Sequence, residues 1–252
     1  SDTVAGLPDE KVFPVLCAVL PCAAAYAGRV RAVYRDGTTP LLGLMSAIIG
    51  CSASGKSICA RRLGPWMKKM DEISAKADKE ESEYKEKCRT RKANEKAPKD
   101  PCVFKQRIPF STSLAQLLYR QQNAQGHTLF SFCEELATVC NTNNRGQWSN
   151  KRPAYTLAFD GGSLGQDYHG LDSVSTTVEM QYNWAATGTR GAFDKFFDGD
   201  SVDGGLASRV LFAEMPYRLF VPLEKEQQLS AVNKKRIAEA VEKLSNAQGT
   251  LK

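Results

Sequence analysis

The chain has 252 residues, 42% of them hydrophobic and 25% charged, with 34 basic against 28 acidic side chains for a net charge of +6. That composition excludes a disordered polymer, a collagen-like repeat and a small disulfide scaffold, and the length suits one large domain with appendages. The mild basic excess admits an anionic partner without demanding one.

In chain order, residues 7–28 read as a helix, with Pro8 and Asp9 at its start and an alanine run at Ala23–Ala25. Residues 29–34 read as a strand closed by a turn at Asp36-Gly37. The apolar run Leu41 to Ile49 suits a strand buried on both faces and ends at Gly50. A helix starts at Lys56 and should kink or restart at Gly64-Pro65. Residues 68–100 hold 11 basic and 9 acidic residues and read as a long solvated helix ended by Pro98 and Pro101. Glu72/Lys76, Glu81/Lys85 and Glu83/Lys87 have the spacing of i,i+4 ion pairs along it.

Ser111-Thr112-Ser113 offers a cap for a Leu-rich helix, Asn123 to Gly126 a turn, and Thr128 to Cys133 a buried strand. Residues 141–151 are polar and read as a loop, and Val178 to Ala186 as one strand. A helix over 191–197, a loop at Gly204-Gly205 and a strand over 209–214 follow. Residues 224–246 read as a helix with Leu229, Val232, Ile237, Val241 and Leu244 as its apolar stripe. Strands alternating with helices predict an α/β fold with a largely parallel sheet flanked by helices. The expected division is a helical lead-in packed on the core over 1–40, a core over 41–222 with a charged helical insertion at 66–100, and a C-terminal helix within 223–252.

The eight cysteines form no C-x-x-C pair, and with two histidines no zinc-finger spacing exists. A reduced, cytoplasmic chain is expected. The apolar stretch 12–27 is too short to span a bilayer and contains Pro14 and Pro21, and the opening Ser-Asp-Thr-Val lacks a basic leader, so no membrane partner is expected.

One motif carries chemistry. Gly50-Cys51-Ser52-Ala53-Ser54-Gly55-Lys56-Ser57 fits G-x-x-x-x-G-K-[ST], follows an apolar strand and, with Ile58, opens a helix. Its glycines let successive N–H groups wrap a phosphate at a helix N-terminus. Lys56 would reach the β- and γ-phosphates of ATP, and the Ser57 hydroxyl would hold Mg²⁺. A buried strand over 129–133 delivers two carboxylates, Glu134 and Glu135. Glu134 would hold Mg²⁺ through water, where such ATPases usually place Asp, and Glu135 would activate the attacking water. Thr187 and Thr189, with Asn183 further back, end a strand that should lie between these two and could sense the γ-phosphate. Each could equally be a helix cap. Arg209, before the strand over 209–214, could be an arginine finger or half of a structural ion pair.

Four pieces in this order carry a resemblance: Ala53-Ser-Gly-Lys-Ser57; Arg107-Ile-Pro109-Phe with Ser111-Thr112-Ser113; Phe130-Ser-Phe-Cys-Glu-Glu135; and Ala186-Thr-Gly-Thr189 with Gly205-Leu-Ala-Ser-Arg209. Over residues 7–220 the chain resembles the ATPases of unknown function carried by Bacteroides-type mobile elements and phages, often joined to primase modules. The resemblance implies a P-loop NTPase core, RecA-like or AAA+-like, that hydrolyses Mg-ATP and serves element replication as a helicase or translocase. Single-stranded or duplex DNA and a homo-oligomeric ring or filament are the partners it implies. A P-loop kinase, and a nucleotide-gated scaffold or loader with little turnover, are the alternatives.

Overall fold

A computed structural model describes residues 2–92, 94–143, 151–166, 176–197, 204–217 and 228–251. Its centre is a four-stranded, wholly parallel sheet of β2 (Met45–Ile49), β3 (Leu129–Cys133), β6 (Tyr182–Gly188) and β7 (Val210–Glu214), in the order β3-β6-β2-β7. Met45 is level with Trp184 and Val210, and Leu129 with Tyr182, so the strands begin at one edge and end together at the other. All seven residues of β6 are buried, as expected of a parallel strand covered on both faces.

One face is covered by α1 (Asp9–Tyr26), α2 (Ser57–Thr90) and α7 (Ala231–Asn246). Val19, Cys22, Tyr26, Leu63, Met67 and Met70 meet Phe130, Ala185 and Val241 there. Pro14 and Pro21 lie inside α1, where each removes one backbone donor without ending the helix. The Pro21 carbonyl also accepts from Asn183 Nδ2 at 3.2 Å. The other face carries α3 (Leu114–Gln122), α4 (Leu136–Asn143), α5 (Arg152–Asp160) and α6 (Arg190–Phe196) around an aromatic cluster. Trp184 sits at its heart, 5.4 Å from Phe110, 5.7 Å from Tyr155 and 5.9 Å from Phe196, ring centre to ring centre. Two small sheets complete the fold: β1 (Val30–Ala32) parallel to β8 (Gly249–Leu251), and the antiparallel pair β4 (Ser163–Gln166) and β5 (Thr176–Glu179).

The mixed α/β architecture with a largely parallel sheet is as the sequence predicts, and so is the strand between those leading to the glycine-rich loop 50–56 and to the two glutamates. Several elements differ. The run 41–49 is strand only from Met45, because Asn183 takes the hydrogen bonds of its first part: Oδ1 accepts from Leu44 N–H at 2.9 Å, and Nδ2 donates to the Leu42 carbonyl. Residues 178–186 form two strands of different sheets, divided where Met180 N–H turns to the Gly162 carbonyl at 2.9 Å. α2 runs unbroken through Gly64-Pro65 and stops at Thr90, well before Pro98. The polar stretch 141–151 starts inside α4, and residues 144–150 lie outside the described ones. α7 starts at Ala231 because the Ser230 hydroxyl accepts from Asn233 N–H, and Val232 faces solvent at 59% exposure while Ile237 and Val241 are buried. Residues 224–227 of the expected helix are outside the described residues.

Among the described residues no helix is long and apolar enough to cross a membrane, and Cys17, Cys22, Cys51, Cys59, Cys88, Cys102 and Cys133 are in no disulfide.

Candidate functional site

The carboxyl ends of the four parallel strands share one edge, the place where open α/β sheets receive ligands. β2 delivers the loop 50–56 there. The ladder continues one residue past β2 on each side: Gly50 N–H donates to the Gly188 carbonyl at 3.0 Å, and Met215 N–H to the Ile49 carbonyl at 2.7 Å. The loop is thus clamped at its root between β6 and β7.

Beyond that clamp the backbone reverses. Ala53 has φ 62° and Gly55 φ 81°, both left-handed. A non-glycine residue there is uncommon and costs on the order of 1 kcal/mol. Gly50 is needed for space rather than φ: a Cβ would lie 2.5 Å from Ser54 Oγ and 3.0 Å from Met215 Cβ. Inside this reversal Lys56 Nζ donates to the Gly50 and Cys51 carbonyls at 2.8 and 2.7 Å. The backbone N–H groups of Ala53, Gly55, Lys56 and Ser57 have no protein acceptor among the described residues. They open α2, whose dipole adds positive potential at the same spot. Ser54 Oγ is buried and lacks a hydrogen-bond partner. A loop of converging donors with one orphaned hydroxyl and one lysine is chemically suited to a phosphate. Cys51 and Ser52 are exposed at its crest, Ser57 Oγ accepts from Arg61 at 3.4 Å, and Ile58 is buried as the first core residue of α2.

Glu134 and Glu135 follow β3 at the same edge, two strands from Gly50, about 10 Å at the usual strand spacing. Glu134 is exposed and Glu135 half-buried. The Glu135 carbonyl accepts from the Thr138 hydroxyl at 2.8 Å and from the Thr138 N–H at 3.2 Å, which fixes the first turn of α4.

The two threonines have structural tasks. Thr187 is fully buried and its hydroxyl donates to the Glu134 carbonyl, tying the tips of β6 and β3 together. Thr189 caps α6, its oxygen accepting from Ala192 N–H at 3.4 Å. Asn183 holds the segment before β2, as described above. The arrangement therefore makes these residues positioning groups rather than free hydroxyls aimed at the loop.

Arg209 is not brought to this edge. It precedes β7, level with the start of β2, so the length of a five-residue strand, about 16 Å, separates it from the loop. Its guanidinium grips Asp160 through two bonds, Nε to Oδ1 at 2.9 Å and Nη2 to Oδ2 at 2.8 Å, and donates to the Gly205 carbonyl. In its own chain Arg209 is half of a structural ion pair.

The edge does carry an arginine, but it is Arg190, two residues past β6, paired with Glu214 at the end of β7. Both side chains are exposed. They border a cleft of about 340 Å³ beside the last residue of β2, with Phe193, Phe197 and Phe212 on its walls. Sequence reasoning missed this pair. The available signal was that each lies at the end of a strand flanking β2, which requires knowing the strand order. Neither family models nor curated proteins match this chain.

Proposed function

We propose that the chain is a P-loop nucleoside triphosphatase that hydrolyses Mg-ATP and acts as the motor of a DNA helicase or translocase. The observation that carries this reading is the loop of unpartnered backbone donors around Lys56 between a central parallel strand and α2, with two carboxylates on the same sheet edge. The strand order, with β6 between β2 and β3, supports the RecA-like or AAA+-like variant that the sequence resemblance implies.

The backbone N–H groups of Ala53, Gly55, Lys56 and Ser57 at the α2 N-terminus would bind the phosphates, and Lys56 would leave the Gly50 and Cys51 carbonyls for the γ-phosphate. The donors available for magnesium, the Ser57 hydroxyl and the Glu134 carboxylate, are hard oxygen ligands, as that ion prefers, and phosphates and water supply the rest of its shell. When bound, the ion would neutralise the charge that develops on the transferring phosphoryl group. Glu135 would orient a water and take its proton as the water oxygen bonds to the γ-phosphorus. The bond from that phosphorus to the bridging oxygen then breaks, giving ADP and inorganic phosphate. Arg190 is the cation at this edge that could settle on the nucleotide once released from Glu214.

The test is the ATPase rate of the full chain with and without single-stranded DNA, for wild type and Lys56→Ala. Turnover that rises with DNA and falls at least 100-fold in the variant supports the motor reading. Wild-type turnover in Lys56→Ala overturns it.

A further inference from the structure

We propose that the far end of α2 and the chain after it, residues 85–92 and 94–99, form a sequence-neutral docking site for the phosphate backbone of a nucleic acid. The inference deepens the DNA-acting reading above and rests on it for its sense, yet it is carried by a separate observation: the structure separates charges that are mixed in the sequence.

Over 68–100 acids and bases nearly balance. In three dimensions three carboxylates of the first part of this stretch, Asp71, Asp78 and Glu81, are spent on the body of the protein, while Glu80 and Glu83 stay exposed. Asp71 pairs with Arg107 at 2.5 Å, Asp78 with Lys105 at 2.5 Å, and Glu81 with Lys105 at 2.7 Å and with Arg120. The expected Glu81/Lys85 pair is therefore not made, because Glu81 reaches across to Lys105 before α3 and to Arg120 within it instead of along its own helix. Glu83/Lys87 and Glu72/Lys76 are not among the ion pairs of the described residues either, and Glu72 lies 4.0 Å from Lys68. Past Ala77 no residue of α2 is buried.

Residues 85–99 then hold Lys85, Lys87, Arg89, Arg91, Lys92, Lys96 and Lys99 against Glu86 and Glu95, a net of +5, which leaves the remainder of the chain at only +1. All seven cations are exposed, and none has an ion pair among the described residues. Lys87 and Arg89 complement the dipole at the helix end, which accounts for two of them. Arg91 and Lys92 adjoin the same helix end, while Lys96 and Lys99 lie well beyond it, where that effect has died away. An anionic partner is what such a surface fits. The segment contains no aromatic or large aliphatic residue to insert between lipids, so charge alone would attract, as it does on a polyphosphate chain. At 1.5 Å per residue this tip lies about 50 Å from the phosphate loop, at the opposite end of the same 34-residue helix. Binding here should therefore proceed without ATP.

The experiment is fluorescence anisotropy of a labelled 25-nucleotide single strand with the full chain, without nucleotide, from 50 to 200 mM KCl. The variant carries Lys85→Gln, Arg89→Gln, Arg91→Gln and Lys92→Gln, all at exposed positions, and its melting temperature serves as the folding control. Four lost phosphate contacts flatten the salt dependence by about 3 logarithmic units per decade, so wild type should lose roughly 50 times more affinity than the variant over that range. Lys56→Ala should bind like wild type, so a dead ATPase leaves this result standing. Equal salt slopes in wild type and variant, absence of binding at 50 mM, or variant-sensitive binding to phosphatidylserine vesicles alone each overturn the proposal.

Discussion

Gly50 has neighbours on three sides: Ser54 Oγ, Lys56 Cγ and Met215 Cβ would all lie within 3.0 Å of an added methyl group. Gly50→Ala must therefore push Ser54 and Lys56 out of the loop or β2 away from β7. We expect a loss of about 1–3 kcal/mol in urea unfolding, the usual cost of overpacking, together with loss of nucleotide binding by isothermal calorimetry. Glu135→Gln keeps shape but cannot accept a proton, so it should bind Mg-ATP and hydrolyse it at least 100-fold more slowly in single-turnover assays. Glu134→Gln should instead raise the magnesium concentration needed for half-maximal rate. If both leave hydrolysis intact, the end of β3 is not part of the site. Arg209→Ala breaks an accessible pair with Asp160 and should cost about 1 kcal/mol or less. Because Arg209 is remote from its own loop, a loss of ATPase activity in that variant at an unchanged melting temperature would point to a contact between subunits. Mixing it with Lys56→Ala, which keeps Arg209, should then restore hydrolysis, and strictly additive rates would exclude such a role.

At the scale of elements, α2 joins a buried first half to an exposed second half, and Glu81 marks the join. Burial alone would raise the Glu81 carboxyl, but hydrogen bonds from Arg120 and Lys105, with the charges behind them, outweigh it and bring the group down to about 2. A carboxyl depressed in the folded state stabilises fully above its unfolded value, near 4.3, and progressively less as pH falls towards 2. The melting temperature of wild type should exceed that of Glu81→Gln at pH 7, and the gap should close between about pH 4.5 and 2. A gap that persists unchanged to pH 2 would mean that the tether holds by packing rather than by charge. Continuity through Gly64-Pro65 has a related cause. The lost donor of Pro65 is tolerated because Leu63, Met67 and Met70 are anchored on either side of it against α1.

The molecule as a whole is organised around β6, which lies between β2 and β3 and is covered by helices on both faces. Trp184 is fully buried, packed edge-on against Phe110 and Phe196, and its indole N–H is without a partner. Trp184→Ala should cost about 3–5 kcal/mol, a drop on the order of 10 °C in melting temperature for a chain of this size. Since Thr187 ties this strand to the Glu134 carbonyl and Gly188 to Gly50, residual ATPase activity should fall together with stability. A fully active Trp184→Ala protein at 20 °C would show that the sheet edge holds its shape without that core.

Some of this was legible in residues alone. A glycine-lysine-serine loop after an apolar run and before a helical pattern is a local arrangement, fixed by φ requirements and backbone donors within eight residues, and such arrangements survive in any tertiary setting. The Ser113 and Ser230 caps and the Asp36-Gly37 turn are local in the same way, and only the first and last were read. Distant contacts were not legible. Asn183 and Thr187 look like free polar groups at a strand end until the chain brings Leu44 and Glu134 to them. Residues 178–186 look like one strand until Gly162 takes the hydrogen bond of Met180. Arg209 reads equally as an arginine finger or as half of an ion pair until the register is known: a parallel sheet has two edges, and Arg209 lies at the one opposite the loop after β2. The charge balance over 68–100 hid a basic tip because a salt bridge depends on distance in space, and Glu81 lies nearer to Arg120 and Lys105 than to its helical neighbour Lys85.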